Sequence, residues 1–128
     1  MKILVIAFQY PPNMSTGSLR PSMLVKYWRK SGNDVKVLTY NYNNSKKIFD
    51  NSIIRISPIP TPGVNDLSYG FTAVAFYRLF NLLKCNNFDF VYITVPPFPP
   101  LFLGIIVKLF RINLVIDYRD LWKGDPYK

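Results

Sequence analysis

The sequence contains no histidine and no glutamate, and its seven acidic residues are all aspartate. A histidine general base and a histidine metal ligand are therefore excluded, and acid–base chemistry falls to aspartate. The single cysteine, Cys85, excludes an internal disulfide and a multi-cysteine metal site. We expect Cys85 in the core, no metal site, and a protein of a reducing compartment.

Glycine is also scarce, at six residues. A dinucleotide site needs G-x-G-x-x-G after the first strand, and the loop there contains only Gly17. The phosphate-binding pattern G-x-x-x-x-G-K-[ST] does not occur either. We therefore predict no NAD, no FAD, no P-loop and no other cofactor.

Acidic residues are outnumbered by basic ones: sixteen Lys and Arg against seven acids give a formal net charge of +9. This excess favours anionic partners. The basic residues are spread along the chain without an RNA-binding signature, so we expect no nucleic-acid partner. One lysine precedes the first apolar run and no small-residue cleavage site follows, so that run is interpreted as a strand and the protein is placed in the cytosol.

Apolar segments alternate between strand and helix patterns along residues 1–128, which fit one domain. Strands are predicted at 2–8, 34–40, 52–60, 89–95 and 113–118, and helices from Ser18 to Gly32, at 70–84 and at 101–110. In the first helix, Leu19, Met23, Leu24, Tyr27 and Trp28 form the apolar positions. The alternation predicts an α/β, Rossmann-like domain with a parallel sheet and helices on both faces. If the strands take the common order 3-2-1-4-5, the ligand crevice lies between strands one and four.

The helices at 70–84 and 101–110 carry more apolar surface than one sheet face needs. The second is too short for a bilayer, which takes about twenty residues. Two interpretations stay open: both helices are core, or they also present apolar surface to an anionic membrane.

Three unusual segments follow predicted strands and so share the carboxyl edge of the sheet: "FQYPPNMSTGS", "PPFPP" and "DYRDLWKGD". Ligands of such sheets bind at this edge, where strand order reverses. Gly17 allows close backbone approach and Ser18 opens a helix, which suits an anion or a sugar hydroxyl; alternatively they are only a turn and a cap. Arg20 is a candidate for a phosphate or carboxylate, or is solvated surface.

The other two segments offer further candidates. The prolines of "PPFPP" end a strand and start a helix, and Phe98 is a candidate pocket wall. In the last segment Arg119 can brace one carboxylate, Asp117 or Asp120, while the other accepts a proton or a sugar hydroxyl, with Trp122 beside them. The alternative is a structural Asp–Arg pair.

Taken together, "KILVIAFQYPP", "GSLRP", "VKYWRKSGNDVKVLT", "VYITVPPFPPLFLGIIV" and "LVIDYRDLW" resemble the N-terminal domain of family 4 glycosyltransferases of GT-B architecture. The resemblance implies an acceptor-binding domain that receives a sugar from a nucleotide-sugar with retention at the anomeric carbon. Gly17 and Ser18 would approach the donor diphosphate and the acceptor. Asp117, Arg119 and Asp120 would lie beside the acceptor pocket.

In that family a second domain binds the donor through an E-x7-E element, and this chain contains no glutamate. We therefore expect the N-terminal part of a glycosyltransferase, without the donor-binding domain and inactive alone. Its expected partners are a glycan or lipid-linked acceptor, a nucleotide-sugar bound through the missing domain, and an anionic membrane surface at the inner face of the plasma membrane. The alternative is a stand-alone Rossmann-like binding or scaffold module.

Overall fold

The computed structural model describes residues 1–11, 16–41, 52–57, 63, 67–95 and 98–118. The strands are β1 (Lys2–Ala7), β2 (Asp34–Tyr40), β3 (Ile53–Ile56), β4 (Phe90–Val95) and β5 (Asn113–Tyr118). The helices are α1 (Thr16–Lys30), α2 (Leu67–Cys85) and α3 (Leu103–Leu109), and a 3₁₀ turn over Pro99–Phe102 leads into α3.

All strand pairs are parallel, and the sheet order is β3-β2-β1-β4-β5. The predicted Rossmann-like α/β class is therefore confirmed, and the strands take the common order 3-2-1-4-5 that was considered from the sequence. The order reverses between β1 and β4, which both lie inside the sheet. Residues Ile3 to Ala7 of β1 are 0% exposed, as expected of an apolar strand covered on both faces.

The two sheet faces have separate cores because side chains alternate along each strand. On one face, Val25 of α1 packs with Val5 and Tyr92. On the other, Phe71 of α2 and Leu103 of α3 pack in one cluster with other alternate strand residues. Helices thus cover both faces, as the sequence predicted.

The apolar positions of α1 are divided differently from what their spacing suggests. Leu19, Met23 and Tyr27 are at least 60% exposed, while Val25 and Ser18 are buried. The helix begins at Thr16, so the prediction that Ser18 caps it is wrong: Ser18 lies inside the first turn.

Two helices end in the same hydrogen-bonded motif. After α1, the N–H of Gly32 donates to the Arg29 carbonyl and that of Asn33 to the Trp28 carbonyl, both at 3.0 Å. After α3, the N–H of Arg111 donates to Lys108 and that of Ile112 to Val107, at 3.0 and 3.2 Å. This Schellman motif needs a left-handed residue, which is Gly32 (φ 90°) in one and Arg111 (φ 57°) in the other.

Polar contacts close the amino edge of the sheet. The Asn86 side-chain oxygen accepts from Lys2 Nζ at 2.9 Å and from Lys36 Nζ at 3.3 Å, and the N–H of Lys2 donates to Asp89. Cys85, at the end of α2, is exposed, so the expectation that it lies in the core is wrong. Within the described ranges, every helix is too short or too polar to cross a bilayer.

Candidate functional site

Asp117 is the centre of a polar cluster at the carboxyl edge. It is the fifth residue of β5, and Nη1 of Arg20 donates to both of its oxygens, at 2.9 Å from Oδ1 and 3.1 Å from Oδ2. The Asp117 side chain is 18% exposed and that of Arg20 54%. The first turns of α1 are thereby joined to an edge strand, and the carboxylate stays accessible from solvent.

Tyr92 of β4 holds Asp117 from the other side. Its hydroxyl donates to Oδ2 of Asp117, and its ring is 5% exposed. Trp28 of α1 packs edge-on against that ring, with the centroids 5.6 Å apart. Because the tyrosine ring is fixed by packing, the carboxylate that its hydroxyl contacts is oriented as well.

Thr94 lies next to this cluster with an unused hydroxyl. It pairs with Asp117 in the β4–β5 register and points to the same face as Tyr92, two residues earlier. The residue is 2% exposed, and its Oγ1 has no hydrogen-bond partner in the described part of the chain. An unsatisfied buried hydroxyl costs about 1–3 kcal/mol, so a ligand or water that bonded it would be favoured.

The start of α1 adds backbone groups to the same edge. Its first N–H groups have no partner within the helix. Pro21 lies inside the helix and has no N–H, so the bond that would normally close on the Gly17 carbonyl is missing. The Gly17 carbonyl therefore lacks its usual donor within the helix, and Ser18 beside it is 3% exposed.

A second unsatisfied group lies on the far side of β1. Register places Arg55 beside Thr39, and Thr39 beside Ala7, on the α1 face. Nη2 of Arg55 donates to the Pro11 carbonyl at 2.9 Å and so ties β3 to the loop after β1. Nη1 of Arg55 is buried and has no hydrogen-bond partner among the residues described.

This arrangement suits the binding of hydroxyl groups. Asp117 already accepts three hydrogen bonds of the about four that a carboxylate can take, which leaves room for about one more donor. Thr94 can donate to or accept from a neighbouring hydroxyl. Within the described ranges, no group of three or more His, Cys, Asp or Glu residues could hold a metal ion.

Of the candidates from the sequence, the structure brings together Arg20 and Asp117 and places Ser18 two residues before Arg20 on α1. Phe98 is 37% exposed and precedes the 3₁₀ turn, where the chain passes to the α3 face.

Arg119, Asp120 and Trp122 lie outside the described residues, so the predicted Arg119 brace stays a prediction. The described ionic partner of Asp117 is Arg20, 97 residues away in sequence.

Tyr92 and Thr94 were not identified from the sequence as residues of this cluster. The alternation of side chains along each strand could have identified them. In adjacent parallel strands, Tyr92, Thr94 and Asp117 fall on one face of the sheet. A tyrosine is long enough to reach a diagonal neighbour on that face.

No protein-family model and no curated protein matches this sequence. Among solved structures, the chain is similar to two crystal structures of the C-terminal domain of a hydrogenase from Pyrococcus furiosus. One has a TM-score of 0.66 at 22% identity, covering 91% of this chain and 90% of that one. The other has a TM-score of 0.66 at 19% identity, with 90% and 89% covered. At this identity the likeness shows the Rossmann-like fold alone.

Proposed function

We propose that this chain is the acceptor-binding part of a glycosyltransferase that moves a sugar from a nucleotide-sugar to a glycan or lipid-linked acceptor. The observation that carries the proposal is the Arg20–Asp117–Tyr92 cluster beside the Thr94 hydroxyl, which has no hydrogen-bond partner among the described residues. The resemblance to family 4 glycosyltransferases supports it, since three of the resembling segments contribute residues to this edge.

In this proposal, Asp117 accepts a hydrogen bond from an acceptor hydroxyl, and Arg20 and Tyr92 keep the carboxylate in place. Gly17 and Ser18 approach the acceptor through the backbone, and Phe98 and Trp122 are walls of the pocket.

Asp120 takes the proton of the attacking hydroxyl, braced by Arg119, as that oxygen bonds to the anomeric carbon on the same face from which the nucleotide leaves, so that the configuration is retained. A general base contributes roughly 10² to 10⁴ in rate. The nucleotide-sugar is held by a second domain, so the 128-residue chain alone transfers no sugar.

Glycan binding at this edge is tested by NMR titration of the ¹⁵N-labelled chain with a panel of mono- and disaccharides and soluble lipid-linked analogues. We expect shifts at Arg20, Tyr92 and Thr94 that Asp117→Asn weakens. Asp34→Asn is the matched control, because Asp34 is the exposed first residue of β2 at the opposite edge. Shifts confined to other surfaces, or equal loss in both variants, would overturn the proposal.

A stand-alone binding module is the second candidate. It is favoured by the hydrogenase domain, whose length this chain matches over 90%, because a domain of this size has crystallised by itself. The gene sequence beyond Lys128 separates the two: an adjoining E-x7-E domain supports the transferase, and its absence from that gene and its neighbours supports the module. Measurable sugar transfer by the purified chain would contradict both.

A further inference from the structure

The outer sides of α2 and α3 form a surface of large exposed apolar residues, here called the α2–α3 face. Exposure ranges from 41% at Phe76 to 77% at Leu109. Its members are Phe76, Tyr77, Phe80, Phe102, Ile105 and Leu109.

The two helices meet beside this face, and its six residues lie outside the buried core. The ring of Phe80 contacts that of Phe110 edge-on at 5.6 Å, which joins the two helices at the surface. The inward sides of the same helices are filled by other residues, such as Leu79 and Leu103 at 0% exposure. Each helix therefore has one apolar side that packs on the sheet and a second apolar side that is exposed to solvent or to a partner.

The charged residues of α2, α3 and the turn after α3 are all basic. No acidic residue occurs in the sequence between Asp66 and Asp89 or between Asp89 and Asp117. Four basic residues lie in these segments, all of them exposed: Arg78, Lys84, Lys108 and Arg111. Nζ of Lys84 lies 5.5 Å from the centroid of the Phe80 ring, so cation and aromatic surface are adjacent.

We propose that the α2–α3 face docks on an anionic lipid surface, with its aromatic and aliphatic side chains in the headgroup region and its cations on lipid phosphates. Apolar area together with basic residues is what interfacial binding requires. A second copy fits less well, because two such faces would bring like charges together. This inference does not rest on the proposed function.

Vesicle co-sedimentation of the full chain tests the proposal. The probes are vesicles of phosphatidylcholine alone and of phosphatidylcholine mixed with phosphatidylglycerol. We expect binding to the mixed vesicles only, and weaker binding as salt is raised.

Variants then locate the binding face. Lys108→Ala should weaken binding about fivefold, since one cation near an anionic surface contributes about 1 kcal/mol. Leu109→Ser should weaken it about tenfold through lost apolar burial. The matched controls are Lys26→Ala and Met23→Ser on α1, an exposed lysine and an exposed large apolar residue on the opposite sheet face, and both variants should bind normally.

Thermal unfolding of each variant tests whether it is folded. We expect all four variants to fold, because all four substituted positions are exposed. Equal binding to neutral vesicles, or equal loss in the α1 controls, would overturn the proposal. So would failure to bind either vesicle, or dimerisation that Leu109→Ser abolishes. None of these outcomes bears on glycan binding, which is read at Arg20 and Tyr92 on the carboxyl edge.

Discussion

The Tyr92 hydroxyl is the least exposed donor in the Asp117 cluster, because the Tyr92 ring is 5% exposed and packed by Trp28. Tyr92→Phe keeps that packing and removes only the hydrogen bond to Oδ2 of Asp117. Hydrogen bonds to charged groups contribute about 1.5–3 kcal/mol. We expect a loss of about 1.5 kcal/mol in the free energy of unfolding, measured by urea denaturation, because Asp117 can regain part of the bond from water.

Tyr77→Phe is the control for this change. The Tyr77 side chain is 72% exposed, so water can replace any hydrogen bond that its hydroxyl makes, and we expect no loss of stability. Unchanged stability in both variants would show that the Tyr92 hydroxyl does not stabilise the carboxylate.

Arg20 and Asp117 were each predicted from the sequence as site residues. Arg20 was predicted as a basic residue at the start of a helix, and Asp117 as an acid at the end of a strand. The sequence did not identify the pair, because the two residues lie 97 positions apart and only the β4–β5 pairing and the path of α1 bring them together. Tyr92 gave no signal of its own, since a tyrosine in an apolar strand resembles ordinary core.

At the scale of elements, the two Schellman motifs differ only in the residue that takes the left-handed conformation. Glycine adopts it freely, whereas a side chain there costs about 1–2 kcal/mol. Arg111→Gly should therefore raise the free energy of unfolding by about 1 kcal/mol, and Gly32→Ala should lower it by a similar amount. Calorimetric melting of both variants measures this, and destabilisation by Arg111→Gly would mean that the arginine side chain contributes more than the strain costs.

The strands were predictable as elements because continuous apolar runs bounded by proline, glycine and polar residues match buried parallel strands. The side of α1 that the sheet covers could not be predicted in the same way. Leu19, Met23 and Tyr27 have helical spacing, yet the α1 residues that pack in the core on the sheet are Val25, Leu24 and Trp28. Spacing identifies an apolar stripe but not which of two stripes the sheet covers.

For the whole molecule, the sheet ends in a strand that pairs on one side only. In the described sheet β5 pairs with β4 alone, and its Val115 and Tyr118 are 45% and 52% exposed. A groove of about 490 Å³ separates β5 from α3 and is lined by apolar residues such as Ile105, Leu114 and Ile116. An open apolar edge strand is a template for pairing with another chain.

Val115→Lys should therefore reduce concentration-dependent self-association, because a lysine on an edge strand opposes strand pairing. Light scattering across a concentration series measures it. Met23→Lys adds the same charge at an exposed site on α1, away from the edge, and should leave association unchanged. An equal effect of both variants would assign the change to net charge.

The central position of β1 also sets an order of events during synthesis. Residues 2–7 leave the ribosome well before β4, which pairs with them at Ile3↔Phe90 to Ile6↔Ile93 and is about ninety residues behind. At roughly 5–20 residues per second, β1 waits roughly 5–20 s for that partner. Among the described strands, β1 therefore waits longest for one of its two neighbours, and its β4 side stays open to chaperones and neighbouring chains during that time.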